Sequence, residues 1–269
     1  PDADRVGVEV LQKDGSYLNL SGNQIGAIMA KYILEAHKNA GTLPENAAIC
    51  KSIVSTDLVT KIAESYGATM FNVLTGFKFI AEKIQEFEEK HNHTYMMGFE
   101  ESFGYLIKPF VRDKDAIQAV LVVAELAAYY RSRGLTLADG IEEIYKEYGY
   151  YAEKTISVTL SGVDGAEQIK AIMAKFRNNA PKEWNATAIT VVEDFKAQTA
   201  TAADGTVTNL TTPPSDVLKY TLADGSWIAV RPSGTEPKIK FYIAVVGESN
   251  EDSQAKIANI EAEINAFVK

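Results

Sequence analysis

This sequence is poor in cysteine, poor in histidine and short of positive charge, and each shortage excludes something. A single cysteine, Cys50, among 269 residues rules out an internal disulfide framework. It fits a reducing compartment, so a cytoplasmic protein is expected, and Cys50 itself reads as a small buried apolar residue. Only three histidines are present. The pair in His91-Asn-His93 has no nearby cysteine or third histidine to complete a metal site and reads as a solvated loop. A formal net charge of −9 argues against the broad positive potential that nucleic acids or membrane surfaces require, so neither partner is expected. Long hydrophobic runs are missing too. Ala119-Val-Leu-Val-Val-Ala124 is closed by Glu125 and is too short to span a bilayer. The opening, PDADRVGVEV, has neither the basic end nor the apolar run of a signal peptide. It starts without methionine in what reads as the middle of a loop, so a fragment of a longer chain is expected. No Walker loop, G-x-G-x-x-G fingerprint or Ser-His-Asp arrangement occurs.

What is present is ordinary for a soluble protein: 46% hydrophobic and 23% charged residues, in a chain long enough for two cores. Strand-like alternation at Val6 to Val10 is followed by a turn at Lys13-Asp14-Gly15. A helix is predicted from about Ser21, with Ile25, Ile28, Met29, Tyr32 and Ile33 on one face and Gly41 past its end. Cys50 to Val54 reads as a buried strand, and Asp57 can cap a helix carrying Leu58, Ile62 and Tyr66. Thr69 to Leu74 is another strand, and Phe77, Ile80, Ile84 and Phe87 mark the helix after it. Helices are predicted near Asp115 to Arg131 and Thr136 to Tyr148. Strands alternating with helices imply an α/β layer domain, and a boundary is placed near residue 150. Beyond it come alternation from Thr155 to Leu160, a helix with Ile169, Ile172, Met173 and Phe176, and several strands. The Thr-rich segment from Gln198 to Pro214 reads as a hairpin or loop, and a last helix starts near Ser249 with Asp252 placed for a capping box.

Three short stretches carry groups suited to chemistry. Arg231-Pro-Ser-Gly-Thr-Glu-Pro237 lies between two strand-like runs. Arg231 offers a fork to phosphate, Ser233 and Thr235 offer hydroxyls, Gly234 lets backbone approach a ligand, and Lys238 or Lys240 adds charge. The other reading is a β-turn with solvated basic residues; the clustering of donors favours phosphate. Asp2 and Asp4, beside Arg5, form a D-x-D pattern that can share a hard cation such as Mg²⁺, though such pairs are common in exposed loops. In Gly98-Phe-Glu-Glu-Ser-Phe-Gly104, Glu100 and Ser102 combine a carboxylate with a hydroxyl, as a site for vicinal sugar hydroxyls needs; a plain acidic surface turn fits as well.

Taken together, PDADR at the start, TGFK at 75–78, GFEESFGY at 98–105 and RPSGTEPKIKFY at 231–242 resemble the α-D-phosphohexomutase superfamily, nearest its bacterial phosphoglucomutases and phosphomannomutases. The resemblance runs through essentially the whole chain. It implies a three-layer α/β domain followed by an α+β domain like the TATA-box-binding protein. Residues 1–16 would be the tail of a metal-binding second domain, 17–150 a sugar-binding third and 151–269 a phosphate-binding fourth. By the same resemblance Asp2 and Asp4 are metal ligands and Arg5 assists catalysis. Thr75, Gly76 and Lys78 sense sugar orientation, and Glu100 and Ser102 hold the sugar hydroxyls. Arg231, Ser233, Gly234 and Thr235 grip the non-transferring phosphate. The first aspartate of the family's D-x-D-x-D loop and the phosphoserine loop have no counterpart here. The implied reaction interconverts glucose 1-phosphate and glucose 6-phosphate through glucose 1,6-bisphosphate, with Mg²⁺. The implied partners are a phosphosugar and the missing N-terminal domains, without which the fragment is expected to be inactive. A phosphomannomutase would share these motifs, and a non-catalytic phosphosugar-binding module is the alternative from another class.

Overall fold

The computed structural model describes residues 2–160, 164–234 and 236–268. The chain divides into two compact units, Pro1–Tyr148 and Gly149–Lys269.

The first unit opens with a hairpin of β1 (Val8–Leu11) and β2 (Tyr17–Leu20). There follow α1 (Gly22–Asn39), β3 (Ala47–Ser52), α2 (Leu58–Ser65), β4 (Thr69–Val73), α3 (Lys78–Lys90), β5 (Thr94–Glu100) and β6 (Gly104–Leu106). Two helices, α4 (Ala116–Ser132) and α5 (Leu137–Tyr148), complete it. The sheet order is β4-β3-β5-β6, with β3 parallel to both of its neighbours and β6 antiparallel at the edge. Alternation within β3 explains the layering. Ala48 and Cys50 pack on Phe77, Ile80, Ile84 and Phe87 around α3. On the other side of the sheet, the Phe99 ring closes on Gly26 of α1. Helices therefore cover both faces, as a parallel sheet requires. Local signals set the helix ends. Ser21 and Gln24 form a capping box on α1, and the Asp115 carboxylate accepts from the amides of Ile117 and Gln118 at the start of α4.

Three local expectations need correction. The third strand runs Ala47–Ser52, earlier than Cys50 to Val54, because Ile53 and Val54 are buried in the turn after it. Asp57 does not cap α2 with its side chain. Its carboxylate pairs instead with the fully buried ammonium of Lys51 at 2.8 Å, a charge that would be costly to leave alone. His93 is not in a plain solvated loop; its ring packs 4.9 Å from Phe71 and 5.1 Å from Phe87.

The second unit runs β7 (Tyr150–Thr159), α6 (Gly165–Asn179), β8 (Glu183–Trp184), β9 (Thr187–Asp194), β10 (Thr199–Ala202), β11 (Val207–Asn209), β12 (Leu218–Leu222), β13 (Trp227–Pro232), β14 (Lys238–Gly247) and α7 (Asn250–Val268). An antiparallel sheet in the order β11-β10-β9-β12-β13-β14-β7 carries β8 beside β9. The Thr-rich segment forms the β10–β11 hairpin at its edge. One core joins the helix residues Met173, Phe176, Ile257, Ile260 and Ile264 to alternate strand residues such as Val230, Ile239 and Phe241. Helices on one face of an antiparallel sheet define an α+β unit. Arg231 and Lys240, which alternate with those core residues and pair across β13 and β14, therefore share the other face.

Candidate substrate-binding site

In the first unit the candidate residues converge at the carboxyl ends of the parallel strands, where open α/β sheets commonly place ligands. Glu100 closes β5 and is 8% exposed. Its Oε1 accepts a 2.7 Å hydrogen bond from the amide of Gly76, in the turn between β4 and α3. Gly76 sits at φ +118, a conformation other residues rarely adopt. Burial pushes the Glu100 carboxyl above its ordinary pKa, and neighbouring Glu101 adds to this. The Gly76 amide and the charges of Lys114 and Arg5 oppose the shift without cancelling it.

The loop after Glu100 is held from below. The Glu101 amide donates to Ser55 Oγ at 3.1 Å, and its carboxylate accepts from Ser52 Oγ at 3.1 Å. Ser52 and Ser55 share a hydrogen bond of 2.8 Å, and Lys51 Nζ donates to the Ser55 carbonyl at 3.1 Å. From the helix side, α1 comes so close that a Cβ on Gly22 would stand 2.1 Å from the Glu101 carbonyl oxygen. Ser102 is half-buried and Phe103 takes φ +69.

The D-x-D-R segment lies against the same loop. Arg5 bridges to Gly104, the Val6 amide donates to the Phe103 carbonyl at 3.2 Å, and the Ala116 amide donates to the Ala3 carbonyl at 3.0 Å. Asp4 Oδ2 lies 3.4 Å from Lys114 Nζ and 3.7 Å from Arg5 Nε. Lys114 also contacts Asp113 at 2.7 Å and stands 5.4 Å from the centre of the Phe77 ring. Burial works to lower the Lys114 ammonium, but Asp113 and then Asp4 outweigh it and hold the pKa above the usual lysine value. Lys114 was not among the residues picked out from sequence, and only its place just before the helix cap Asp115 set it apart. Thr75 is half-buried beside Gly76, whereas Lys78 is exposed with its ammonium 4.8 Å from the Phe79 ring. Asp2 is exposed.

Magnesium takes oxygen ligands, and Asp2 and Asp4 are of that kind. Asp4, however, faces two cations, and among the described residues no group of three or more His, Cys, Asp or Glu is arranged to hold a metal. These residues do not make a magnesium site by themselves.

The second unit carries the other group. Arg231 and Pro232 end β13, Lys238 begins β14, and the Ser233 amide donates to the Lys238 carbonyl at 2.7 Å to close the turn. Ser233 Oγ accepts from the Glu236 amide at 3.2 Å, and Lys238 pairs with Glu236 at 3.0 Å. Gly234 is exposed, and a Cβ there would meet nothing within 4 Å. Thr235, expected to belong to this turn, lies outside the described residues. An acidic chain thus collects Arg231, Lys238 and Lys240 around one open turn, a local arrangement suited to an anion.

A two-unit α/β and α+β chain, with a carboxylate and amide loop in one unit and a cationic turn in the other, defines the class. Family models identify the family. Residues 21–148 match the phosphoglucomutase/phosphomannomutase alpha/beta/alpha domain III, and residues 164–266 match the C-terminal domain of the same family. The chain belongs to the phosphoglucomutase/phosphomannomutase family. A phosphoglucomutase of Staphylococcus aureus is 37% identical over 258 residues, which is 96% of this chain and 46% of that protein. One from Staphylococcus haemolyticus is 36% identical over 260 residues. The chain thus spans about half the length of the curated relatives it matches. Among solved structures, the open form of the Paramecium phosphoglucomutase parafusin shares the fold at TM-score 0.64 and 20% identity, covering 99% of this chain and 44% of that one. The N-acetylphosphoglucosamine mutase of Aspergillus fumigatus, solved with GlcNAc-6P and magnesium, does so at TM-score 0.53 and 13% identity, covering 100% and 50%. Among the described residues no helix is long and apolar enough to cross a membrane.

Proposed function

We propose that this chain is the C-terminal, substrate-holding half of a phosphoglucomutase that interconverts glucose 1-phosphate and glucose 6-phosphate. The observation that carries the reading is the meeting of Glu100, Gly76, Lys114, Asp4 and Arg5 at one end of a parallel sheet. Glu100 and Ser102 accept and donate to sugar hydroxyls, with Thr75, Gly76 and Lys78 beside them. Arg231, Ser233, Gly234 and Thr235 hold the phosphate that is not being transferred. On this reading residues 1–16 belong to a preceding metal-binding domain, 17–150 to the sugar-binding domain and 151–269 to the phosphate-binding domain.

Phosphoryl transfer depends on positioning and on offsetting charge, and these residues supply positioning. Arg5 and Lys114 are placed to offset charge on a phosphoryl group arriving beside Asp4. The serine that gives and takes that group belongs to the other half, so this half alone binds without turnover. The intermediate is glucose 1,6-bisphosphate, which must reverse its orientation between the two transfers; an open turn suits a phosphate that leaves and is replaced by its twin. Magnesium would draw its remaining ligand from the preceding domain. That the matched relatives are named phosphoglucomutases supports reading the sugar as glucose rather than mannose.

The test is an NMR titration of the chain with glucose 1-phosphate, with inorganic phosphate as control. Shifts at Arg231–Gly234 for both ligands, and at Gly76 and Glu100–Ser102 for the sugar alone, are expected. Both regions silent at millimolar ligand would overturn binding by this half. Mutase activity restored on adding the N-terminal half would remove the reading as a non-catalytic sugar-binding module.

A further inference from the structure

The first unit has a cavity at the end of its sheet that the candidate site does not use. Glu100 closes β5 at its carboxyl end; the cavity, of about 480 Å³, opens where β5 begins. Ile84 and Phe87 from the second half of α3, His93 and Tyr95 around the start of β5, and Lys108 and Pro109 after β6 form its walls. Most of that lining is ring or apolar carbon. Lys108 exchanges backbone hydrogen bonds with the Gln118 side chain at 2.7 and 3.3 Å, and its exposed ammonium has no ion-pair partner among the described residues. Glu88 also borders the cavity, but its carboxylate is already held by Arg112. His93 adds a polar atom in want of a partner. Its Nδ1 is shielded from solvent and makes no hydrogen bond among the described residues, a state in which folded proteins seldom leave such an atom. A turn of the ring would present it to a group seated in the cavity.

Two of the walls lead straight to the candidate site. The strand β5 runs from Thr94 to Glu100, about 20 Å. The helix α3 runs from Lys78 to Lys90, about 18 Å, and starts directly behind the turn at Gly76. At their far ends the Gly76 amide donates to the Glu100 carboxylate at 2.7 Å. Between the two ends, α3 sits hard on the strand. A Cβ on Gly98 would stand 2.8 Å from Ile80 Cγ2 and 2.8 Å from Tyr95 Oη. Close-packed elements shift as units, so a group inserted between Phe87 and Tyr95 tilts α3 against β5 about this contact. The tilt is felt at Gly76.

We propose that this cavity is an effector site for a small, ring-bearing carboxylate, whose binding alters the Gly76–Glu100 hydrogen bond at the opposite end of the sheet. Aromatic walls favour a flat ring, through offset stacking or edge contact. Lys108 favours an anionic head. One unpaired ammonium with Glu88 nearby favours a single negative charge over the two of a phosphate ester. The consequence for sugar rests on the reading of Glu100 as a sugar ligand; binding in the cavity does not. By linkage, the carboxylate and glucose 1-phosphate would change one another's affinity by the same factor.

Benzoate is the probe, with benzamide as its uncharged match and phenyl phosphate as its doubly charged one. In NMR titrations of this chain at millimolar concentration, benzoate is expected to saturate. It should shift the amides of His93–Tyr95 and Lys108, and those of Gly76 and Glu100 with the same midpoint. Benzamide and phenyl phosphate should bind several-fold more weakly. Lys108→Ala should abolish the preference for benzoate over benzamide, and Lys108→Arg should restore it, both with unchanged circular dichroism. Failure of benzoate to saturate would overturn the proposal. So would binding that Lys108→Ala leaves unchanged, or saturable binding with Gly76 and Glu100 unmoved. A parallel titration with glucose 1-phosphate separates the two inferences. If benzoate shifts Gly76 and Glu100 but the sugar phosphate does not bind, the proposed function falls and the effector site stands; sugar-phosphate binding without benzoate binding does the reverse.

Discussion

The two candidate loops are built in opposite ways. Glu100 is buried, hydrogen-bonded to Gly76 and braced through Glu101 by Ser52, Ser55 and the enclosed Lys51. In the turn after Arg231 the Ser233 and Glu236 amides make local hydrogen bonds, and among the described residues an added carbon on Gly234 would meet nothing within 4 Å. A group that must recognise one arrangement of hydroxyls gains from a frame fixed before the ligand arrives. On the proposed function, the turn must accept either of two phosphates and gains from open access. The cost also falls differently. In the first loop an error strains the protein; in the second, on the proposed function, it weakens ligand binding.

The sharpest way to break this contrast is Gly22→Ala. The added carbon meets the Glu101 carbonyl oxygen at 2.1 Å and its carbon at 2.8 Å, with backbone on both sides of the clash. A loss of about 4 kcal/mol or more in the stability of the first unit is expected, the range reserved for overpacking with no room to relax. Hydrogen exchange at Glu101–Tyr105 reports it. Both tryptophans, Trp184 and Trp227, lie in the second unit, and their fluorescence should be unmoved. A stable variant with unchanged exchange would mean that the loop is not preset.

Next in size is Arg231→Ala. Removing a charge-assisted partner should weaken glucose 1-phosphate and inorganic phosphate alike by about 1.5–3 kcal/mol, read by titration calorimetry. Loss confined to the sugar phosphate would place Arg231 on the sugar instead.

The sequence exposed one side of this contrast more readily than the other. The turn at Arg231 is contiguous, so its donors could be read from one stretch. The frame around Glu100 is assembled from Ser21–Asn23, Lys51–Asp57, Gly76 and residues 3–6, and no local pattern announces such a meeting. Asp57 illustrates the limit: its position predicts a helix cap, but a lysine from the preceding strand claims the carboxylate. His93 does the same on a smaller scale, since a histidine two residues from another in a polar stretch gives no hint of Phe71 and Phe87. Element types, by contrast, follow from periodicity and caps. The α/β and α+β division was legible because the two halves have different textures.

Glu100→Gln sharpens the comparison through pH. The folded-state pKa of Glu100 lies above its ordinary value, chiefly because of burial. The folded protein therefore holds this proton more tightly than the unfolded chain. The resulting stability is fully present below the ordinary pKa of 4.5 and is lost as pH rises through the folded value. At neutral pH the buried, ionised carboxylate is a burden on the unit. Glutamine keeps an oxygen for Gly76 and removes the charge, so the variant should melt higher at pH 7 while binding glucose 1-phosphate more weakly by about 1.5–3 kcal/mol. Melting curves from pH 4 to 8 should lose one declining component. A variant that melts lower at pH 7 would mean that Lys114 and Arg5 outweigh burial.

Gly234→Ala has the smallest expected effect on the fold and isolates the ligand. Unlike Gly22, Gly234 has no neighbour within 4 Å of an added carbon, and its φ is not among the left-handed ones. Alanine should therefore leave stability within about 0.5 kcal/mol, or raise it slightly by restricting the unfolded chain. Among the described residues nothing accounts for a glycine here, so on the proposed function its reason would lie in the space outside. If phosphate occupies that space, alanine weakens phosphate and glucose 1-phosphate together while the melting temperature holds. If both affinities stay at the level of the parent chain, the backbone at Gly234 does not approach the ligand. The grip then belongs to Arg231, Ser233 and the lysines alone.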